Sequence, residues 1–149
     1  MGSNDGTMLT AIGGKIIEER PGFARGVLPL SPLVMQPTKV FHAGAIATLA
    51  DEVASRAIYN SIPRDSNNMP TKFPYSVQLS LNLLTNDPIG PLTAESTVSR
   101  AGGLTLVDTI ITTHDGRTAA LMRSMHKLVD PNKTGPHLKQ TKPASGCHD

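Results

Sequence analysis

The sequence predicts an α+β domain in which one antiparallel sheet wraps a single long helix. Three observations carry that prediction. Ala45, Ile46, Leu49, Ala50, Val53, Ala54, Ala57 and Ile58 recur at helical spacing, the mark of one amphipathic helix of about four or five turns. Val77, Leu79, Leu81 and Leu83 then alternate with Gln78, Ser80, Asn82 and Leu84, so the period changes to two, as in a strand buried chiefly on one face. Pro21 with Gly22 and Asp115 with Gly116 mark tight turns between neighbouring strand-like runs.

In chain order, residues 1–10 are polar and irregular and read as a mobile lead-in. Lys15–Arg20 and 23–30 form a hairpin across Pro21 and Gly22. Pro29, Pro32 and Pro37 make 31–41 a stiff, non-helical connection into the helix, which ends near Ser61 because Pro63 cannot continue it. With three prolines and two asparagines, 62–74 reads as a long loop. A long strand follows from Tyr75, broken by Pro88 to Pro91, and then three more strands at Leu92–Arg100, 104–114 and Thr118–Val129. Beyond Asp130 no periodicity remains, and 131–149 is expected to be a disordered tail.

Composition narrows the function classes. Lys and Arg total 14 against 12 for Asp and Glu, too even a balance to point to nucleic acid or a membrane surface. There is no Trp, with two Tyr and three Phe, which disfavours base stacking. Cys147 is the single cysteine, so no internal disulfide or multi-cysteine metal site can form, and a reducing compartment fits. No apolar run approaches a membrane span and no secretory signal is read at the N-terminus, so an intracellular, cytoplasmic protein is expected, an organelle remaining open. The five histidines lack paired metal spacing, and GxxxxGK, GxGxxG and GxSxG motifs are absent; neither a metal nor a cofactor is expected.

The segment from His42 to Asp51 carries the chemistry. A helix N-terminus leaves backbone N–H groups unpaired and partly positive, suited to polarising a carbonyl, and the small residues Ala43, Gly44 and Ala45 let a ligand approach that backbone. Asp51 follows two turns later, off the apolar stripe on an arc with Thr48, Glu52 and Ser55. Two readings stand for that arc: an ordinary solvated face, or, given Ala47, Ala54 and Ile58 beside it, an edge turned toward another subunit.

The segments HAGAIATLADEVASRA at 42–57 and VQLSLNLLTNDPIGPLTAESTVSRAGGLTLVDTIITTHDGRTAALMRSMHKLV resemble PaaI-type hotdog-fold acyl-CoA thioesterases, the likeness covering about residues 11–130. The resemblance implies a hotdog domain of about six strands around the helix, acting on an acyl-CoA without cofactor or metal. It makes Asp51 the catalytic carboxylate, as general base on water or as nucleophile, and the Ala43 N–H the oxyanion donor. His42 would position the carbonyl or cap the loop, and Ser76, at the start of a long central strand, would hold the attacking water. Gln36 stands where many members have Asn. Gly44 would border the substrate. Arg100 and Gly102 keep family positions, while Gly103 replaces a frequent basic residue; Arg100, Arg123, His126 and Lys127 are candidates for phosphate contacts. The resemblance further implies a homodimer with its site at the interface, often paired into a homotetramer. Two rivals stay open: an enoyl-thioester hydratase or dehydratase, for which His42 is the plausible His, and a noncatalytic acyl-CoA binding protein.

Overall fold

The computed structural model describes residues 6–132 of the 149. Along the chain come α1 (Met8–Ala11), β1 (Lys15–Arg20), β2 (Phe23–Leu28), a 3-10 turn at Pro32–Val34, α2 (Ala43–Tyr59), β3 (Phe73–Leu83), β4 (Leu92–Arg100), β5 (Leu104–Thr112) and β6 (Thr118–Val129). The six strands form one antiparallel sheet in the order β1-β2-β4-β5-β6-β3, with α2 against one face. This is the hotdog arrangement expected from the sequence.

The stripe read from the sequence is the buried face of α2: Ile46, Leu49, Ala50, Val53, Ala54, Ala57 and Ile58 are all buried. The sheet answers with alternate residues, among them Ala24 and Leu28 of β2, Leu92 and Ala94 of β4, Val107 and Ile111 of β5, and Ala120 and Met122 of β6. Several are small, which brings helix and sheet close. At Gly26 the fit is tight: a Cβ there would lie 2.6 Å from Val53 Cγ2, so a residue without a side chain lets β2 pass beneath the helix.

Several expectations need correction. The chain is structured before residue 11. Thr7 Oγ1 accepts the Thr10 N–H at 3.2 Å, Leu9 is buried in the core, and the Leu9 N–H donates to the Glu52 carboxylate at 2.8 Å. A four-residue helix has no stability of its own, so α1 exists because α2 supplies both the pocket and the acceptor. The long strand is also not central. β3 is the edge beyond β6, paired on one side only, and Val77, Leu79 and Leu83 are about half exposed. Alternation reports a strand with two unlike faces but not what covers either face, and in this chain Leu81 alone of the four packs partly against the core. The supposed loop 62–74 gives way to β3 at Phe73, and the tail expected at 131–149 lies almost wholly outside the described residues.

Candidate active site

The start of α2 is fixed by residues from two other segments of the chain. Phe41 is fully buried, and the Asn86 side chain grips its backbone from both sides: Oδ1 accepts the Phe41 N–H at 3.1 Å and Nδ2 donates to the Phe41 carbonyl at 2.9 Å. Asp87, next to it, is buried and accepts from the Ile89 and His114 N–H groups and from His114 Nδ1. Burial would raise its carboxyl, but the His114, Gly90 and Ile89 N–H groups and the His114 ring outweigh that and hold it well below the usual carboxylate range. The helix start is therefore pinned to the β3–β4 connection and through it to the β5–β6 hairpin.

His42 is the N-cap of α2. Its Nδ1 accepts the Gly44 N–H at 2.9 Å, so of the two roles open to it the structure displays the capping one. The Gly44 N–H is thereby occupied, whereas Ala43 is exposed and its N–H meets no acceptor among the described residues.

Two turns on, Asp51 is half-buried where α2 passes β3, and Ser76 Oγ donates to its Oδ1 at 2.6 Å. A bulge makes this contact possible. The β3–β6 register pairs Ser76 with His126 and then Gln78 with Met125, skipping Val77, so Ser76 and the later Leu79, Leu81 and Leu83 all fall on the helix side although their numbers differ in parity. Opposite Ser76, the fully buried His126 places Nδ1 3.4 Å from Ser76 Oγ and Nε2 2.8 Å from Ser124 Oγ. Burial pushes the imidazole below its usual value, and the charge of Asp51 acts in the opposite direction. Asp51, Ser76, His126 and Ser124 thus form one polar string on the helix side of the sheet, where Ser96, Thr105 and Thr109 are also buried. Above it, an open cleft of about 1320 Å³ runs along α2 between the edge strands β1 and β3, with Asp51, Glu52, Ser55 and Tyr59 on its floor and Phe73 and Ser76 on one wall. Glu52 is committed to Leu9, which leaves Asp51 as the carboxylate held by Ser76.

The other sequence candidates lie elsewhere. Gln36 sits in the turn before α2, where its Nε2 donates to Thr38 Oγ1 at 2.8 Å. Arg100, Gly102 and Gly103 border a separate shallow hollow of about 310 Å³ at the β4–β5 turn, together with Leu104, Leu106 and Met125. Arg123 and Lys127 are exposed on the sheet face turned away from α2, and Arg123 is held by both oxygens of Asp108, at 2.8 and 3.1 Å. His126, read as a phosphate contact, is instead enclosed within the domain; its alternation with Ala120, Met122 and Ser124 was the available signal. For Asn86 no sequence signal existed. Among the described residues no group of three His, Cys, Asp or Glu side chains is placed to hold a metal, and no helix is long and apolar enough to cross a membrane.

No family model and no curated protein sequence matches the chain. Solved structures do. A thioesterase of Haemophilus influenzae superposes with a TM-score of 0.73 at 20% identity, over 82% of this chain and 82% of that one. The PaaI protein of the phenylacetic acid degradation operon of E. coli gives 0.71 at 21%, covering 80% and 82%. A Streptococcus mutans protein bound to acetyl CoA gives 0.69 at 15%, covering 79% and 90%. The fold is that of the PaaI-type hotdog thioesterases.

Proposed function

We propose that the protein hydrolyses an acyl-CoA thioester to free acid and coenzyme A, as a homodimer or homotetramer with each site at a subunit interface. One observation carries the reading: Asp51, the carboxylate that the family resemblance makes catalytic, lies on the floor of an open cleft with Oδ1 held by Ser76 and Oδ2 without a partner among the described residues. Oδ2 takes a proton from water, whose oxygen attacks the thioester carbon. The carbonyl oxygen becomes an oxyanion on the Ala43 N–H, the C–S bond breaks, and the departing thiolate takes the proton back from Asp51. The acetyl CoA-bound and coenzyme A-bound streptococcal proteins of this fold support a CoA ester as substrate class.

Helix geometry supports a shared site. Ala43 and Asp51 are eight residues apart on α2, so they lie about 12 Å apart along its axis. Groups acting on one carbonyl must each come within about 3 Å of its atoms, and one chain cannot present both. The unpaired edge of β3, the strand that carries Ser76, exposes Val77, Leu79 and Leu83 and is a surface where a second copy can bring its own Ala43 to this Asp51.

Release of free thiol from a panel of acyl-CoAs, by wild type and by Asp51→Asn, tests the proposal. Thiol release that disappears in the variant is the expected result. A change in enoyl absorbance without thiol would identify a hydratase instead, and binding without either reaction an acyl-CoA binding protein.

A further inference from the structure

The His126 ring has no part in the reaction as proposed, and it is wholly enclosed. Hydrogen-bond counting gives it a direction. Ser76 has a single hydroxyl proton, and that proton is given to Asp51 Oδ1. His126 Nδ1, 3.4 Å from Ser76 Oγ, can therefore interact favourably only as a donor to the oxygen lone pair. A neutral ring with its proton on Nδ1 has an acceptor at Nε2, and Ser124 Oγ is 2.8 Å away to donate to it. Every donor in the string then points the same way: Ser124 to His126, His126 to Ser76, Ser76 to Asp51. Bonds aligned head to tail polarise one another, and this alignment runs from the buried Ser124 and His126 out to the exposed Ser76, ending on one carboxylate oxygen.

We infer that His126 is a positioning residue for Asp51, acting through Ser76: it fixes the Ser76 rotamer so that the hydroxyl holds Oδ1 and leaves Oδ2 aimed into the cleft. The inference rests on the proposed role of Asp51 for its kinetic consequence, but not for its structural content. The register supports it independently. Thr105 of β5 and Ser76 of β3 flank His126 on either side across the sheet, Ser124 lies two residues before it on the same face, and the charge acting on the ring is that of Asp51 from α2. An apolar residue would fill this inward position of β6 with less desolvation, yet an imidazole occupies it with both nitrogens in contact with hydroxyls.

The test has a readout that does not depend on activity. In the full-length protein, nitrogen-15 correlation spectra of the His126 ring at neutral pH should give the neutral Nδ1–H tautomer, and Ser76→Ala, which removes the acceptor, should move the population toward Nε2–H. An Nε2–H ring in wild type, or a tautomer indifferent to Ser76→Ala, overturns the inference even if no substrate is turned over. Kinetically, His126→Leu should lower kcat roughly 10- to 100-fold per folded site, as loss of a supporting hydrogen-bond partner does, with KM little changed. His126→Asn, whose amide can place a donor near the Nδ1 position, should recover much of that loss. Equal kcat in wild type and a folded His126→Leu protein overturns the inference; if His126→Leu does not fold, the tautomer and the Asn variant decide. Should wild type release no thiol from any acyl-CoA, the proposed function fails while the tautomer result still stands or falls by itself.

Discussion

Ser76 Oγ and Asp51 Oδ1 are joined at 2.6 Å across 25 residues of sequence, tying an edge strand to the middle of the central helix. The bond exists because β3 skips Val77 in its pairing with β6 and so turns Ser76 to the side of the sheet that faces α2. If Asp51 is the general base, Asp51→Asn should retain the fold and slow turnover by roughly 10²- to 10⁴-fold with little change in substrate binding. Ser76→Ala should cost less, because water can take the place of a lost hydroxyl. Steady-state kcat and KM, with circular dichroism as the fold control, measure both; full activity in folded Asp51→Asn would remove the base from this residue.

A shared site predicts complementation. Asp51→Asn lacks the carboxylate, and Ala43→Pro lacks the backbone N–H while remaining compatible with the first helical position. Each should be inactive alone. In a mixed dimer one site carries both lesions and the other neither, so random co-refolding should restore up to about a quarter of wild-type activity per site. Confirmed mixed dimers without recovery, or an active monomer by light scattering, would contradict the arrangement.

Asn86 holds both backbone groups of buried Phe41 and also accepts the Asp87 N–H at 2.8 Å. Asn86→Ala leaves these groups unpaired and should lower stability by roughly 2–4 kcal/mol, given the cost of each unsatisfied buried group. Asn86→Asp keeps the acceptor and loses the donor, so it should fall between the two. Urea unfolding of the three proteins gives the order; a neutral Asn86→Ala would show that the helix start does not depend on this clamp.

The buried His126 gives stability a pH dependence of known sign. Its folded value lies below the usual 6.5, chiefly through burial and against the opposing pull of Asp51. Between the folded value and 6.5 the unfolded chain therefore binds the extra proton. The stability contributed by the neutral ring is complete above pH 6.5 and is lost as pH falls through the folded value. Stability from urea unfolding should decline more steeply with acid in wild type than in His126→Asn. Parallel profiles would mean that the ring is charged or hydrated in the folded protein.

At the β2–α2 contact, a Cβ on Gly26 would meet Val53 Cγ2 at 2.6 Å. Gly26→Ala should therefore destabilise by about 1–3 kcal/mol through overpacking. Val53→Ala in the same chain should recover part of the loss by making room. Additive losses in the double variant, measured by thermal unfolding, would place the strain elsewhere.

Local pattern in the sequence marks α2 and the six strands, though not α1. Apolar spacing in α2, period-two runs in the strands and the turn pairs at Pro21 with Gly22 and Asp115 with Gly116 are local properties, and each element appears within two residues of the local pattern. The sequence also singled out Asp51, His42, Ala43 and Ser76 as residues of interest, through position on one helix and resemblance to a family. Which of these groups meet is set by long-range packing. Whether β3 lies at the centre or the edge depends on which strands pair, and pairing is a long-range choice that alternation does not encode. The Ser76 contact hangs on a bulge that shifts register by one residue, and nothing in the residues around Val77 announces it. His126 reaches Ser76 and α1 reaches Glu52 only once the sheet has curled around the helix, because buried polar groups take their partners from whatever the fold brings within hydrogen-bond distance.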